Sequence, residues 1–408
     1  MLPGPLASTA RIVEIDIVRG FALFGVLLVN LYNFGAESIA WDSQRDQVAF
    51  ALMRVLLQSK SWILFAMLFG FGFALQLHRD EARGFPIHFI YLRRLAVLFA
   101  FGAAHALFFD GDILMLYAEL GIGLFLLRRL PTKLLLIMAV GLMLVFPATR
   151  LVLDPEREEA VSVAEARTEL ERSRQTDVYA IGSLAEVMAD NATAIPADPF
   201  EDNASPESGL AVFAMFLLGF SIGRPGAARD IPAHAPILKH LRNWGLGLGF
   251  TAMLTERVLA ASSGYAVFRP QQAELGIQLV GDLTFAFGAP ALALGYAATL
   301  VLVVQTPRGK ALLAPLAAVG RLALTVYLSQ TLIFSTLFYG VGFGQVFRLG
   351  PLAVTAWAVV IFSAQVIVCQ WWSKRFCFGP AEWVWRSLTY LQWQPLHLRN
   401  DLTAQAES

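Results

Sequence analysis

The chain has 408 residues, of which 57% are hydrophobic and 15% are charged, and its 31 basic residues balance its 31 acidic residues. A soluble domain carries roughly 25% charged residues, and a chain with a mean hydropathy of +0.59 has too few polar residues to cover a surface that faces water. The composition therefore excludes an ordinary soluble enzyme, a disordered chain and a disulfide scaffold, and the zero net charge gives no attraction to nucleic acid. An integral membrane protein remains, with the lipid bilayer as its partner.

Apolar runs define the predicted elements, because a spanning helix needs about 20 mostly apolar residues. In chain order the ten predicted spans are 17–34, 50–77, 95–109, 113–127, 134–153, 209–223, 243–260, 276–304, 313–339 and 351–372. The third and fourth runs are short and need flanking residues to cross a bilayer. The runs 276–304 and 313–339 are long, so we expect each to be tilted, kinked or broken, and Pro290 lies in the first. The predicted fold is an all-α transmembrane bundle.

The distribution of positive charge predicts the orientation of these spans. With the N-terminus inside, the segments on that side carry 18 lysines and arginines, and the segments on the opposite side carry 7. Cytoplasmic loops of membrane proteins are enriched in these residues, so both termini are predicted to be cytoplasmic.

The segment 154–208 separates an N-terminal half, 1–153, from a C-terminal half, 209–408, and it carries 14 acidic and 4 basic residues. Its part from Pro155 to about Met188 predicts an amphipathic helix or a pair of helices, and 190–208, rich in Asn, Asp, Pro and Ser, predicts a loop. We expect the segment outside the membrane, either as a cap over the helices or as a solvated linker.

Polar side chains within lipid are costly unless they pair or face a cavity, so they indicate where a site lies. An inner polar group lies at the predicted cytoplasmic ends of the spans. Asp16 and Arg19 are three residues apart and can pair on one helix face. Glu382 and Arg386 are four residues apart in a tryptophan-rich segment that predicts an interfacial helix. The other members of the inner polar group are Arg93, Arg94 and Arg321.

Two interpretations of the inner polar group stay open. It is either a set of structural ion pairs between helix ends or an anion site that binds the phosphates of a cytosolic ligand. Arg93 and Arg94 also fit the ordinary excess of positive charge on the cytoplasmic side.

An outer polar group lies near the opposite ends of the spans. It contains Asn30, His105, Asp110, Asp112 and Glu119. His105 is either a hydrogen-bonded packing residue or a general base that a nearby aspartate orients. Glu119 is a candidate for a proton relay, since carboxylates within the membrane often have that role.

The ninth predicted span carries hydroxyl and amide groups. Thr325, Tyr327, Ser329 and Gln330 either bond to neighbouring helices or line a ligand tunnel. The sequence contains no usable nucleophile elbow, phosphate-binding loop or metal-ligand spacing, so no metal site is predicted.

Several stretches resemble one family. They are residues 11–30, with Asp16, Arg19, Gly20 and Asn30, and Gly320 to Gln330, followed at a distance by Gly379 to Tyr390. Further agreement lies at 68–72, at Arg93-Arg94-Leu95, at His105-Ala106 and at 111–114. The pattern resembles the YeiB-like family of bacterial inner-membrane proteins, known as the domain of unknown function DUF418. The resemblance covers nearly the whole chain and implies a multi-pass protein of the bacterial cytoplasmic membrane.

The N-terminal pattern is also similar to that of membrane acyltransferases of the heparan-glucosaminide N-acetyltransferase type. Those enzymes take acetyl from cytosolic acetyl-CoA and pass it to a sugar amine across the bilayer, and the similarity implies site roles for Asp16, Arg19 and Asn30. Their catalytic histidine follows the asparagine closely, whereas residues 31–47 contain no histidine and Trp41 stands about where it is expected. On this interpretation His105 takes the role from another helix.

The leading hypothesis is a membrane acyltransferase that uses acyl-CoA as co-substrate and has no covalently bound cofactor. In it, the inner polar group binds the CoA phosphates, His105 is the general base, Asp112 orients it and Asn30 donates to the oxyanion. The acceptor is a small molecule, a glycan or a lipid with a hydroxyl or amine group.

Two alternatives belong to other classes. One is a transporter or permease of small organic or lipidic molecules, with Glu119 and His105 as proton sites, and the other is a non-catalytic scaffold. A tunnel from the cytosol to His105 favours acyl transfer, and a filled interior favours the scaffold. The oligomeric state stays open.

Overall fold

The computed structural model describes residues 12–35, 43–82, 87–152, 177–194, 206–224, 231–263, 274–345 and 348–398. Within these ranges the regular structure is helical, and β pairing is limited to one antiparallel bridge between Phe376 and His397. The prediction of an all-α fold is confirmed. Most of the segment 154–208, including 155–176 and 195–205, lies outside the described residues.

The structure describes fourteen α-helices within these ranges. In chain order they are α1 (Val13–Gly35), α2 (Gln44–Leu56), α3 (Lys60–Ala82), α4 (Ile87–Ala106), α5 (Leu114–Leu127), α6 (Thr132–Val152), α7 (Leu184–Ala194), α8 (Pro206–Gly223), α9 (Ala235–Ser263), α10 (Leu275–Val304), α11 (Pro307–Arg321), α12 (Ala323–Phe338), α13 (Pro351–Ser373) and α14 (Pro380–Tyr390).

Several helices suit a membrane. In the described part of the chain, five stretches are long and apolar enough to cross one, namely Val13–Asn33, Gln44–His78, His88–Ala106, Leu275–Val304 and Pro351–Ser373. The pair α11 and α12 passes the same test together, and the shorter α5, α6 and α8 are apolar as well. The fold is thus a polytopic helical bundle. Each of the ten predicted spans falls on helical structure. The number of helices that cross the membrane, and the side of the membrane on which the termini lie, stay predictions.

The two long predicted spans differ. The run 276–304 is one continuous helix, α10, in which Pro290 is buried. The run 313–339 is broken, because α11 ends at Arg321 and α12 begins at Ala323 with a bend of 79° between them. The bend exposes backbone N–H groups at the start of α12, which need partners inside an apolar bundle.

A second break interrupts the predicted span 50–77. α2 ends at Leu56, Ser59 has a positive φ of 70°, and α3 begins at Lys60. The Lys60 side chain is buried, and its Nζ donates to the carbonyl oxygen of Arg54 at 3.0 Å. The ammonium group thereby satisfies a carbonyl that the end of α2 leaves open.

α7 extends into the stretch 190–208 that the sequence predicted as a loop. The helix starts from a capping box and continues to Ala194. The backbone N–H and hydroxyl of Ser183 both donate to the Glu186 carboxylate, at 2.7 and 2.8 Å, and Ser183 Oγ accepts the Glu186 N–H at 3.3 Å. Val187 and Asn191 are then buried against the bundle.

α1 is central to the bundle and packs against α3, α11, α12 and α13. It crosses α11 at two glycines. A Cβ atom on Gly20 would collide with the carbonyl oxygen of Leu316, and one on Gly320 would collide with that of Asp16. Small residues of this kind let two helix backbones touch. The close crossing brings Asp16 and Arg19 next to Arg321.

Candidate functional site

A cavity of about 310 Å³ lies between α1, α3, α4, α5, α11, α12 and α14. Phe65 and Gln76 of α3 both line it, and at 1.5 Å per residue they are about 16 Å apart along the helix. The cavity therefore extends through a large part of the bundle. Phenylalanine and leucine side chains of α3 form part of the wall between its ends.

The end of the cavity near Gln76, which we call the mouth, is lined by charged side chains. They are Asp16, Arg19, Arg94, Arg321, Glu382 and Arg386. Asp16 and Arg19 form the predicted pair, with Nη1 and Oδ1 2.9 Å apart. Four guanidinium groups face two carboxylates, so the charge of the mouth is positive and favours an anion.

Aromatic rings and carbonyl groups hold the guanidinium groups of the mouth in place. Arg321 donates to the carbonyl oxygens of Phe376 and Cys377 at 3.2 and 2.9 Å. Arg94 lies over the ring of Trp385 at 3.9 Å, within the range of a cation–π contact. The Trp385 Nε1–H donates to the Arg94 carbonyl oxygen at 3.0 Å, which ties α14 to α4.

Glu382 supports the bend between α11 and α12. Its Oε1 accepts the N–H groups of Leu324 and Thr325 at 2.7 and 3.1 Å, and its Oε2 accepts the Thr325 hydroxyl at 2.5 Å. Burial raises the pKa of the Glu382 carboxyl, although the bonds from Thr325 and Leu324 oppose that effect. A carboxylate from α14 thus satisfies the backbone donors at the start of α12.

The other end of the cavity is lined by a tyrosine that packs against a buried histidine. Leu114, Tyr117 and Tyr327 line that end, and the Tyr327 ring lies 5.0 Å from the His105 ring. His105 Nδ1 is 2.7 Å from Asp112 Oδ1, and His105 Nε2 is 2.5 Å from Thr331 Oγ1. The cavity therefore joins the mouth to the neighbourhood of the His105–Asp112 pair.

The turn between α4 and α5 fixes Asp112. Its Oδ2 accepts the Met115 N–H at 2.9 Å, in the first turn of α5, while Oδ1 is bonded to His105. A Cβ atom on Gly102 would lie 2.6 Å from the Met115 nitrogen and 2.8 Å from Asp112 Oδ2. Glycine at that position lets α4 approach the turn closely enough for the carboxylate to reach the imidazole.

Three residues expected in the site lie elsewhere. Asn30 neither lines the cavity nor forms a hydrogen bond to His105 within the part of the chain that the structure describes. Arg93 donates to the Thr389 carbonyl oxygen at 3.0 Å and ties α4 to α14. Gln330 is buried between helices and donates to Gln365 Oε1 at 3.2 Å. Arg93 and Gln330 therefore have structural contacts.

The described part of the acidic segment packs over the turn between α4 and α5. Asn191 donates to the Leu107 carbonyl oxygen at 3.1 Å and accepts the Tyr179 hydroxyl at 2.7 Å. The Tyr179 ring stacks on Tyr339 at 4.8 Å, and Tyr339 donates to the Phe108 carbonyl oxygen at 2.8 Å. Residues 177–194 thereby cover the end of the bundle that holds the His105–Asp112 pair.

Burial also changes the acidity of this covered end. It raises the pKa of Asp110, and the negative charge of Asp190 acts in the same direction. Among the residues that the structure describes, no group of three His, Cys, Asp or Glu side chains is arranged to hold a metal ion.

Comparisons with known proteins identify the family. A family model described as "Protein of unknown function (DUF418)" matches residues 222–392. A protein of Bacillus subtilis strain 168, described as "Uncharacterized protein YxaH", is 31% identical over 96% of this chain and 97% of its own length. The chain belongs to the DUF418 family. "Uncharacterized protein YeiB" of Escherichia coli K12 is 30% identical over 93% of this DUF418 chain and 96% of its own length. No solved structure matches the chain at a significant level.

The sequence analysis missed several polar residues of this DUF418 chain. Thr331, bonded to His105, is one of them. Glu256 and Asp282 are two more; both are buried, and Arg257 pairs with Glu256. Each is the one carboxylate in its predicted span, 243–260 or 276–304. The rule that drew attention to His105, a polar group within an apolar run, also applies to them.

Proposed function

We propose that this DUF418 protein transfers an acyl group from acyl-CoA to an acceptor hydroxyl or amine at the membrane. The observation that carries the proposal is the cavity that runs from a positively charged mouth to Tyr327, whose ring packs against His105 of the buried His105–Asp112 pair. A donor with an anionic end and a long thin arm that ends in a thioester matches both ends of that cavity.

The size of the cavity fits a donor whose arm lies inside it and whose nucleotide stays outside. Ligand sites for drug-sized molecules span about 300–1,000 Å³, so 310 Å³ suits the pantetheine arm with a short acyl group and leaves no room for the nucleotide. The nucleotide phosphates then remain at the mouth beside Arg19, Arg94, Arg321 and Arg386, which are charged at every physiological pH. Apolar side chains of α3 face the arm.

The end of the cavity near His105 supplies the chemistry. Asp112 holds the proton of His105 on Nδ1, which leaves Nε2 as the base. His105 Nε2 removes a proton from the attacking group and later gives it to the departing CoA thiolate. Tyr327, at the end of the cavity, is the candidate donor to the oxyanion, in place of Asn30.

The predicted topology places the mouth at the cytoplasmic face, where acyl-CoA is available, and His105 toward the opposite face of a bacterial cytoplasmic membrane. An acceptor of glycan or lipid type then approaches from that opposite side. The chain supplies a route for the acyl group without moving the nucleotide through the bilayer.

The test uses purified protein in liposomes with labelled acetyl-CoA and membrane extract as the source of acceptors. We expect transfer of label that depends on the protein, and a CoA affinity that falls at least tenfold in Arg94→Gln at low salt and by a smaller factor at high salt, where the charge of Arg94 is already screened. Arg348→Gln, at an exposed site outside the cavity, is the matched control and leaves the affinity unchanged.

Two other outcomes would replace the proposal. Flux of small organic molecules across the liposomes without acyl-CoA, reduced by His105→Ala, would identify a transporter. Absence of CoA binding, transfer and flux, with lower thermal stability in Arg19→Ala, would leave the cavity residues as the structural elements of a scaffold.

A further inference from the structure

We propose that Thr331 is the nucleophile of this protein and carries the acyl group as an ester between two half-reactions. The inference rests on the proposed acyl transfer and adds a residue, an intermediate and an order of steps to it. It starts from the position of the Thr331 hydroxyl, 2.5 Å from Nε2 of His105.

The three side chains have the arrangement of a catalytic triad. Asp112 bonds to Nδ1 of His105, Thr331 bonds to Nε2, and Asp112 is itself held by the Met115 N–H. The order is therefore orienting acid, base and hydroxyl, as in the enzymes in which a histidine activates a serine or threonine. The side chains of His105 and Asp112 are 4% and 3% exposed, and Thr331 is 2% exposed.

The direction of the Thr331 hydroxyl follows from the aspartate. A carboxylate can only accept, so Nδ1 of His105 carries a proton and Nε2 of the neutral ring has a lone pair. Thr331 Oγ1 must then donate to Nε2, which is the direction that removal of its proton requires. The arrangement prepares the hydroxyl for attack.

Other helical threonines of the chain bond differently. Thr251, Thr284, Thr299 and Thr336 each donate to the carbonyl oxygen four residues earlier, which is the usual way to satisfy a hydroxyl within a helix. Thr331 instead bonds to a histidine 226 residues away in the sequence. A purely structural threonine on α12 has no need of that partner.

Tyr327 separates the cavity from Thr331. It lies one helical turn before Thr331, lines the cavity and packs against the His105 ring at 5.0 Å. The acyl group reaches Thr331 when the Tyr327 ring turns aside. Until then the ring shields the hydroxyl and the later ester from water.

The two half-reactions balance. In the first, Thr331 Oγ bonds to the thioester carbon, its proton moves to His105 Nε2, the C–S bond breaks and CoA leaves as the thiol after taking that proton. In the second, the acceptor oxygen or nitrogen bonds to the ester carbon, its proton moves to Nε2, the C–Oγ bond breaks and Thr331 recovers its proton. No oxidation or reduction takes place. CoA can leave through the mouth before the acceptor arrives from the other side, so the kinetics are ping-pong.

The test is acylation of the purified protein without an acceptor, by acetyl-CoA and, separately, by the activated ester p-nitrophenyl acetate. We expect one acetyl group per chain, located on the peptide that contains Thr331 by mass spectrometry. Thr331→Ser stays labelled, and Thr331→Val and His105→Ala do not. Thr336→Val, on the same helix with its hydroxyl bonded to Leu332, is the matched control and is labelled like the natural chain. Acyl transfer falls by more than about 10³-fold in Thr331→Val.

The outcomes distinguish this inference from the proposed function. Transfer to acceptors without an acetyl adduct on Thr331, and with turnover retained in Thr331→Val, means direct transfer and overturns the inference while the function stands. Acylation of Thr331 by p-nitrophenyl acetate, with no binding or consumption of acetyl-CoA, supports the nucleophile and overturns the choice of donor. An adduct on a different residue overturns the inference in either case.

Discussion

Replacing Asp112 with asparagine separates the orientation of His105 from the stability of the bundle. The Asp112 carboxylate accepts the Nδ1–H of His105 at 2.7 Å with one oxygen and the Met115 N–H at 2.9 Å with the other. An asparagine keeps an oxygen for Met115 but turns its NH₂ group toward the imidazole. The imidazole must then accept at Nδ1, carry its proton on Nε2 and donate to Thr331.

The contacts give the expected magnitudes. The Asn variant keeps both hydrogen bonds, so its free energy of unfolding falls by about 1 kcal/mol or less. Asp112→Ala leaves the His105 Nδ1–H and the Met115 N–H buried without an acceptor, at about 1–3 kcal/mol each, or about 2–6 kcal/mol in total. Acyl transfer falls about 10⁴-fold in the Asn variant, as in a serine protease in which the same exchange imposes the wrong tautomer.

The assay combines the thermal unfolding midpoint in one detergent with transfer from labelled acetyl-CoA. Asp46→Asn is the matched control, because Asp46 also accepts a helix N–H, that of Leu352 at 2.9 Å, and has no histidine partner. We expect that variant to retain activity. The reasoning is refuted if Asp112→Asn transfers acyl groups at the natural rate, or if it unfolds as readily as Asp112→Ala.

Three further changes test the supports of the site. Gly320→Leu places a side chain against the Asp16 carbonyl oxygen, so we expect both the unfolding midpoint and the CoA affinity to fall, as measured by thermal unfolding and equilibrium binding. Because burial raises the pKa of Glu382, the folded chain binds that proton more tightly than the unfolded chain. The contribution of Glu382 to stability is therefore full below the ordinary carboxyl pKa and is lost as the pH rises through the raised pKa, and Glu382→Gln removes this dependence from a plot of midpoint against pH. Tyr179→Phe loses the bond to Asn191, at about 1 kcal/mol, and we expect faster limited proteolysis within 177–194 with an unchanged helix content.

The positions of the spans could be predicted from the sequence, and the length of the run 313–339 already indicated a tilt, kink or break. The position of that break and the existence of the break before Lys60 could not be predicted. A bilayer requires about 20 apolar residues per span, which makes such runs visible without any structure. The breaks before Lys60 and at Leu322 depend on side chains that satisfy the freed backbone groups. Lys60 bonds to the carbonyl oxygen of Arg54, and Glu382 reaches α12 from a helix near the C-terminus. Hydropathy contains no information about such partners.

Some contacts of the candidate site could likewise be predicted from the sequence, and others could not. His105 and Asp112 are seven residues apart around a short turn, so their contact could be expected from the sequence. Thr331 lies 226 residues from His105, and only the packing of α12 against α4 brings the two together. Asn30 illustrates the converse: helix direction alone placed it at the same depth as His105, but the direction of its side chain depends on how α1 is rotated in the bundle.

Arg321→Lys tests whether the mouth and the helix that carries Thr331 share one support. Arg321 ends α11, donates to the carbonyl oxygens of Phe376 and Cys377, and thereby holds the segment that leads into α14, whose Glu382 satisfies the start of α12. Lysine keeps the charge but lacks the planar fork of donors. We expect the free energy of unfolding to fall by about 1.5–3 kcal/mol for each bond to a charged group that is lost, which lowers the unfolding midpoint. We also expect the labelling of Thr331 by p-nitrophenyl acetate to slow, although that reagent has no phosphate to bind. Unchanged labelling in a destabilised Arg321→Lys variant would mean that α12 keeps its position without this support, and that Arg321 serves the mouth alone.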